Sequence, residues 1–221
     1  MAKRFLLALA TVLLFPPALA QPDTARPPSA RELGARFEEV KQDRKAAEAL
    51  FKTGRKVAAV CAHCHGEGGN SLKPDIPNLA GQNPSYLLEQ LRQFAEGRRR
   101  NEFMEGMIKA MNSDEKIGMV LFYAAQQVTP LPPPNAALAA RGREYYDKVC
   151  FRCHGSDGRG NEQMARIAGQ QPDYLRTTLR RYRAGNGVRV NPLMASNTRL
   201  MTDADIEAVV GLCCTNGGAV G

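Results

Sequence analysis

The chain has 221 residues, a length that suits one large domain or two small ones. Its formal charge is +8, but the basic side chains are not interleaved with aromatic stacking residues, which argues against a single-stranded nucleic-acid binder. The excess charge indicates either a docking surface for an acidic partner or simple solubility, and composition does not separate the two.

The first twenty residues have the pattern of an export signal. A basic pair precedes an apolar run over 5–15, and residues 18–20, Ala-Leu-Ala, are small enough for signal peptidase. We therefore expect a signal peptide over 1–20, cleavage before Gln21 and a periplasmic location, with an uncleaved anchor as the alternative. The run is shorter than the roughly 20 residues that span a bilayer, and no later run is longer, so we expect no transmembrane segment in the mature chain.

The rest of the chain is predicted to be helical. We expect a polar lead-in over 21–45, whose first part is rich in proline. Apolar residues at helical spacing over 33–60 predict helix, with Gly54 as a candidate interruption. No stretch shows sustained strand alternation, so the predicted fold class is all-α. Four residues are suited to begin later helices as N-caps, namely Ser85, Ser113, Asp173 and Thr202.

The second half of the chain repeats the first at an offset of 88 to 90 residues. The repeated landmarks are a Cys-x-x-Cys-His-Gly motif, an Ala-Gly-Gln triplet, a Tyr-Leu pair and an Asn-x-x-Met segment. Such a constant offset indicates duplication. The proline-rich residues 129–136 predict a stiff linker, so we expect one domain over 46–128 and a second over 137–221.

Cys-x-x-Cys-His is the attachment signature of c-type haem. Two thiols three residues apart, on a turn leading from a helix, can reach both vinyl groups of one porphyrin, and the next residue then places its imidazole under the iron. A thioredoxin-like redox pair or half of a zinc site would be the alternatives, but the histidine follows both times in a repeated, exported unit. We therefore predict two covalently bound haem c groups, held by Cys61 and Cys64 in the first half and by Cys150 and Cys153 in the second.

His65 and His154 are the predicted proximal ligands of the two irons. The third histidine of the chain, His63, lies inside an attachment loop and cannot swing across the ring, so bis-histidine ligation is excluded within one chain. A ligated histidine normally donates its other ring proton to a carbonyl. The carbonyl of Pro77 is suited to this role, and Ala165 takes its place in the second half without the stiffness of proline. We therefore expect modestly different reduction potentials, and a single coincident redox transition would contradict that.

Methionine is the usual distal ligand in electron-transfer cytochromes. Met104 and Met194 occupy matching Asn-x-x-Met segments, 39 and 40 residues beyond their histidines. We predict that they are the distal ligands, although methionine also fills cores. Met107 remains an alternative in the first half, and Met164 and Met201 are weaker competitors in the second.

Together these residues resemble the dihaem cytochrome c4 family, from about Gly54 to Val210. Both attachment motifs, the Leu79-Ala-Gly-Gln82 and Ile167-Ala-Gly-Gln170 segments and the Tyr-Leu pairs carry the resemblance. It implies two class I cytochrome c folds around a pseudo-twofold axis and His–Met ligation in both. It also implies a periplasmic electron relay between redox partners, with a donor such as a quinol-oxidising complex and an acceptor such as a terminal oxidase. Peripheral association with the membrane stays open.

Two departures from the family pattern matter. One extra residue separates Met104 from Ser113 compared with the second half, which keeps Met107 open as a ligand. The chain also ends with adjacent cysteines, Cys213 and Cys214, with no histidine after them, so they do not form a third haem site. They could pair between chains, form a vicinal disulfide or reflect an altered reading frame.

Two other functions compete with a free electron carrier. The first is the dihaem electron-transfer subunit of a periplasmic flavin-containing dehydrogenase. The second is a dihaem peroxidase, which needs one iron with an open position. The symmetric Asn-x-x-Met segments and the lack of a spare histidine for acid–base work argue against the peroxidase, so we expect that the chain is not an enzyme.

Overall fold

The computed structural model describes residues 30–132 and 136–213. Within these ranges the chain is helical and has no β-strand, apart from an isolated bridge between Arg99 and Arg189, and none of the helices is long and apolar enough to cross a bilayer. The predicted signal peptide and Cys214 lie outside the described residues. The helices are α1 (Ala30–Gln42), α2 (Arg44–His65), α3 (Pro84–Ala95), α4 (Glu102–Ala110), α5 (Ser113–Ala124), α6 (Ala139–Val149), α7 (Phe151–His154), α8 (Pro172–Ala184), α9 (Pro192–Thr198) and α10 (Asp203–Cys213).

The helical run predicted over 33–60 is present but is divided at Asp43. Oδ1 of Asp43 accepts hydrogen bonds from the N–H groups of Lys45, at 2.9 Å, and Ala46, at 3.1 Å, and so caps the start of α2. Helix α1 lies inside the segment that we expected to be a polar lead-in, 21–45. Its apolar side belongs to the core of the first half through Leu33, Phe37 and Val40.

Gly54 lies inside α2 and does not interrupt it. A Cβ atom at Gly54 would lie 1.9 Å from the carbonyl oxygen of Gly118, so α2 and α5 cross in backbone contact. In the second half a Cβ atom at Gly142 would lie 2.1 Å from the carbonyl oxygen of Ala208, where α6 crosses α10. The same close crossing therefore builds both halves. The cores beside the crossings include Ile117, Val120 and Tyr123 in the first half and Tyr146, Ile206 and Val210 in the second.

Helices α3 and α8 begin earlier than predicted because each starts with a proline. Proline suits the first position of a helix, where its fixed φ is helical and no N–H group needs a partner. The cap positions are therefore Asn83 and Gln171, rather than Ser85 and Asp173.

Helices α5 and α10 end each half, and their caps were predicted at Ser113 and Thr202. In α5 the cap is instead Asn112, whose Oδ1 accepts from the N–H of Glu115 at 3.0 Å while the Glu115 carboxylate accepts from the N–H of Asn112 at 2.8 Å. The role of Thr202 is confirmed, since its Oγ1 accepts from the N–H of Asp205 at 3.1 Å.

Candidate functional site

Both Cys-x-x-Cys-His motifs stand where a helix ends. The first motif forms the last turn of α2 and the second spans the junction of α6 and α7. Each helix stops at a glycine with positive φ, Gly66 at 77° and Gly155 at 75°. At Gly66 the chain turns back so tightly that a Cβ atom would lie 1.9 Å from the carbonyl oxygen of Asn70. The two thiols and the terminal imidazole of each motif thereby come to line one cavity, through Cys61, Cys64, His65, Cys150, Cys153 and His154.

The two motif imidazoles are held by the carbonyls that the sequence predicts. Nδ1 of His65 donates to the carbonyl oxygen of Pro77 at 2.8 Å, and Nδ1 of His154 donates to that of Ala165 at 2.9 Å. A carbonyl only accepts, so the proton sits on Nδ1 and Nε2 is left as the nitrogen available to an iron. Burial lowers the pKa of both imidazoles, which favours the neutral form that ligates metals.

Met104 and Met194 take equivalent places on the cavity wall. The N–H of Met104 donates to Oδ1 of Asn101 at 3.0 Å, and the N–H of Met194 donates to Oδ1 of Asn191 at 2.9 Å. Each methionine is thus the third residue of a short helix with an asparagine cap, α4 or α9. The structure also brings Met107 to this cavity, and in the second half Met164 and Met201.

The cavity has a volume of about 1170 Å³ and is continuous between the halves, because both attachment motifs and both asparagine-capped methionines line it. Its wall also includes apolar side chains from α3, α4, α8 and α10, among them Leu91, Phe94, Ile108, Leu175, Val209 and Val210. Such a space suits two large apolar rings that lie near one another.

A cluster of arginines and tyrosines closes the cavity where the halves meet. Arg189 donates to the hydroxyl of Tyr174 at 2.7 Å and also to Tyr86, while Arg99 donates to Tyr174 at 3.0 Å. Both guanidiniums also donate to the amide oxygen of Gln90. None of these partners is a carboxylate, and the buried Nε of Arg189 finds no acceptor among the described residues. A buried donor without a partner, on a half-buried cation, fits the carboxylates that a haem carries.

The pKa of Tyr174 shows how positive this place is. Burial alone would raise the pKa of the phenol, but the guanidiniums of Arg189 and Arg99 lower it to about 7. This cluster was not predicted from the sequence. The signal was available in the repeat, since Arg99 and Arg189 are 90 residues apart and Tyr86 and Tyr174 are 88 apart.

The chemistry of the thiols fits haem attachment better than the two alternatives. A redox-active cysteine has a lowered pKa, whereas burial raises the pKa of Cys61 and brings that of Cys150 to about 12. A structural zinc site needs four ligands, and within residues 30–132 and 136–213 no three His, Cys, Asp or Glu side chains gather in a group that could hold a metal ion.

The helical fold and the two thiol–imidazole sites define a two-domain c-type cytochrome. The family model described as Cytochrome c matches residues 51–129 and 139–211. Cytochrome c4 of Thiocapsa roseopersicina is 34% identical over 166 residues, which cover 70% of this chain and 85% of that protein. The thiosulfate dehydrogenase electron acceptor of Thiomonas intermedia (strain K12) is 33% identical over 178 residues, which cover 74% of this chain and 82% of the relative.

A solved structure agrees with these relatives. The crystal structure of reduced recombinant cytochrome c4 from Pseudomonas stutzeri matches with a TM-score of 0.70 and 28% identity, and the match covers 75% of this chain and 97% of that one. The chain belongs to the cytochrome c4 family. It is an all-α dihaem cytochrome with two tandem cytochrome c domains, two covalently bound haem c groups and redox proteins as partners, and it functions in electron transfer.

Proposed function

We propose that the chain is an electron relay that catalyses no reaction of its own, because two protein ligands hold each iron. His65 with Met104 and His154 with Met194 are the proposed pairs, and the four motif cysteines attach the rings. The observation that supports this most strongly is the repeated geometry: each imidazole is fixed through Nδ1, and each methionine is third in an asparagine-capped helix. When bound, each haem supplies a one-electron iron couple.

Electrons would enter and leave at an exposed apolar rim of the cavity, and each half has such a rim. Phe103 and Leu193 directly precede the proposed ligands, line the cavity, and are nevertheless 67% and 50% exposed. Large apolar side chains exposed beside a cofactor cavity suit brief contact with another redox protein. The net positive charge of the chain would speed the encounter with an acidic partner.

The proposed setting is the periplasm, after cleavage before Gln21, with domains over 46–128 and 137–221 joined by the linker 129–136. A quinol-oxidising complex as donor and a terminal oxidase as acceptor fit a relay of this family. We expect fast reduction of the purified protein by such a donor in stopped-flow measurements, with a rate that falls as salt screens the charges.

A second candidate has the same chemistry but a dehydrogenase as donor. The relative from Thiomonas intermedia is called a thiosulfate dehydrogenase electron acceptor, which favours this reading over other fixed partners. Rapid reduction by a thiosulfate-oxidising dehydrogenase, together with slow reduction by a quinol-oxidising complex, would favour this candidate over the first. A flavin-containing dehydrogenase can be tested as donor in the same assay.

Carbon monoxide tests whether both irons are six-coordinate, with no position open to an added ligand. The fully reduced protein is mixed with the gas, and its visible spectrum is recorded before and after. An unchanged spectrum supports two six-coordinate irons and the relay. A change that affects half of the haem means that one iron is open, which would overturn the ligand assignment in that half and restore the peroxidase as a candidate.

A further inference from the structure

The two halves contact each other along a seam, and two buried glutamines form hydrogen bonds across it. They are Gln82 and Gln170, the last residues of the repeated Ala-Gly-Gln triplets. Gln170 reaches into the first half, where its Oε1 accepts from the N–H of Asn78 at 2.7 Å and its Nε2 donates to the Asn78 carbonyl at 3.0 Å. Gln82 reaches into the second half, where its Oε1 accepts from the N–H of Arg166 at 2.7 Å and its Nε2 donates to the Arg166 carbonyl at 2.8 Å. Each amide thus binds both backbone groups of one residue across the seam.

Each glutamine is also fixed from its own side. Oε1 of Gln170 accepts from the N–H of Gln171 at 2.9 Å, and Oε1 of Gln82 accepts from the N–H of Asn83 at 3.0 Å. These N–H groups stand at the starts of α8 and α3. Both glutamine side chains are buried, with 6% of their surface exposed. Each acceptor oxygen is therefore held in one place, with little competition from water.

The peptide that each glutamine binds is the one that holds the imidazole of the opposite half. The N–H of Asn78 and the carbonyl of Pro77 belong to the same planar peptide group, and that carbonyl accepts from Nδ1 of His65. In the same way the N–H of Arg166 and the carbonyl of Ala165 share one peptide group, and that carbonyl accepts from Nδ1 of His154. Two hydrogen bonds joined by one peptide therefore connect each glutamine to the proximal histidine across the seam.

A peptide whose N–H donates to an acceptor is polarised, and its carbonyl oxygen becomes a better acceptor in turn. A better acceptor on Nδ1–H makes the imidazole a more basic ligand, which favours the oxidised iron and lowers its reduction potential. We propose that Gln170 lowers the reduction potential of the haem in the first half and that Gln82 lowers that of the haem in the second. Both are positioning residues that act through a peptide, and this inference rests on the proposed ligation by His65 and His154.

The test exchanges each glutamine for methionine, which has a similar length and no acceptor of comparable strength. In Gln170→Met we expect the potential of the first haem to rise while that of the second stays unchanged, and in Gln82→Met we expect the reverse. A Met104→His background identifies the first haem, because replacing the distal methionine lowers the potential of that haem alone. The crossed pattern is the signature, since damage confined to one half would move the potential of the haem in the mutated half.

Gln171 offers a matched control. It is also buried, and its Nε2 also crosses the seam, but it donates to the carbonyl of Ser71 and to the side chain of Asn78, not to the peptide that holds His65. Gln171→Met should lower stability and leave both potentials unchanged. Gln170→Glu keeps an acceptor oxygen and should return the first potential to the wild-type value or below it. Amide exchange at Asn78 should accelerate in Gln170→Met and not in Gln171→Met.

Either of two results would overturn the proposal in protein whose haems both remain low-spin: an unchanged first potential in Gln170→Met, or an equal shift in Gln171→Met. The failure of the proposed function looks different. There the unsubstituted protein itself would bind carbon monoxide, or Met104→His would move neither redox step.

Discussion

The two halves of this cytochrome place the same groups around their haem sites. They differ in how their helices pack on the side away from the cavity. On the cavity side the thiols, the imidazole, its carbonyl and the asparagine-capped methionine recur one for one. Behind α3, Leu88 packs against the core of the first half. The matching residue of α8 is Arg176, which forms a bidentate pair with Glu207 of α10, at 2.7 and 2.8 Å. The residues that recur on the cavity side are thus the ones proposed to hold the haem, whereas this outer contact differs between the halves.

Two of the differences between the cavity walls lie next to the proposed ligands. Only the first half has a methionine three residues beyond the capped one, Met107, since the second half has Asn197 there. The carbonyl over the first imidazole belongs to Pro77, and that over the second belongs to Ala165, at nearly equal distances. Matched substitutions in the two halves therefore show which properties both haem sites have in common and which belong to one site alone.

The largest expected effect comes from the methionines. Met104→Ala and Met194→Ala should each open one iron, so that carbon monoxide changes the spectrum of half of the reduced haem. In Met107→Ala, carbon monoxide should leave the spectrum of the reduced protein unchanged, because Met107 has no counterpart in the repeat and we do not expect it to ligate iron. If Met107→Ala opens an iron and Met104→Ala does not, the extra residue before Ser113 has shifted the ligand and the halves ligate differently.

The chemistry of the site was largely predictable because covalent attachment requires a fixed spacing of three side chains. The carbonyl of Pro77 was predicted from the rigidity of proline and that of Ala165 from its matching place in the repeat, and the structure confirms both. Prediction failed where the deciding partner is distant in the chain. Gly54 reads as a helix interruption until Gly118 is placed against it, and then it is the residue that lets α2 and α5 touch.

The seam was the least predictable region. Gln82 and Gln170 were identified as part of the sequence repeat, but a repeat does not predict which surfaces of its two copies are in contact. Their hydrogen bonds run between residues 84 to 92 positions apart, so no local pattern reports them. The error at the start of α3 was of another kind, since Ser85 resembles a cap but Pro84 already occupies the first helical position.

Glycine substitutions test whether the shared crossing is equally tight in both halves. Gly54→Ala should destabilise the first half by about 3 kcal/mol, because the new methyl group meets the backbone of α5, which cannot rotate away. Gly142→Ala should have an effect of similar size in the second half, where the methyl group meets the backbone of α10. Denaturant unfolding followed by circular dichroism measures both changes.

Gly106 in α4 is the control, because a Cβ atom there has no atom within 4 Å. Gly106→Ala should be neutral or stabilise the protein by up to about 1 kcal/mol through helix propensity. An equally destabilising Gly106→Ala would show that the loss comes from helical glycine in general and not from the crossing.

The smallest effect should come from the bidentate pair of Arg176 and Glu207, which is one of several ion pairs between α8 and α10. The hydrogen bonds from Arg176 lower the pKa of Glu207 below its ordinary value of 4.5. A carboxyl whose pKa is lowered by folding stabilises the protein above its ordinary pKa and loses that contribution as the pH falls through the folded value. Because both side chains are partly exposed, acidification from pH 6 to pH 3 should remove no more than about 1 kcal/mol through this pair.

Arg176→Leu gives the second half the apolar residue that the first half has at this position. The variant should lose part of the acid sensitivity of its unfolding free energy, since Glu207 then keeps only its longer pair with Arg180, at 3.5 Å. Arg92→Leu is the matched change in the first half, where Arg92 pairs with Glu89 of its own helix α3 and with Glu96, which caps the end of that helix. A pair within one helix contributes a few tenths of a kcal/mol, so this variant should change the acid dependence less. An equal change in both variants would mean that the ion pair between helices adds no more than the local one, and that the two halves differ in sequence here without differing in energy.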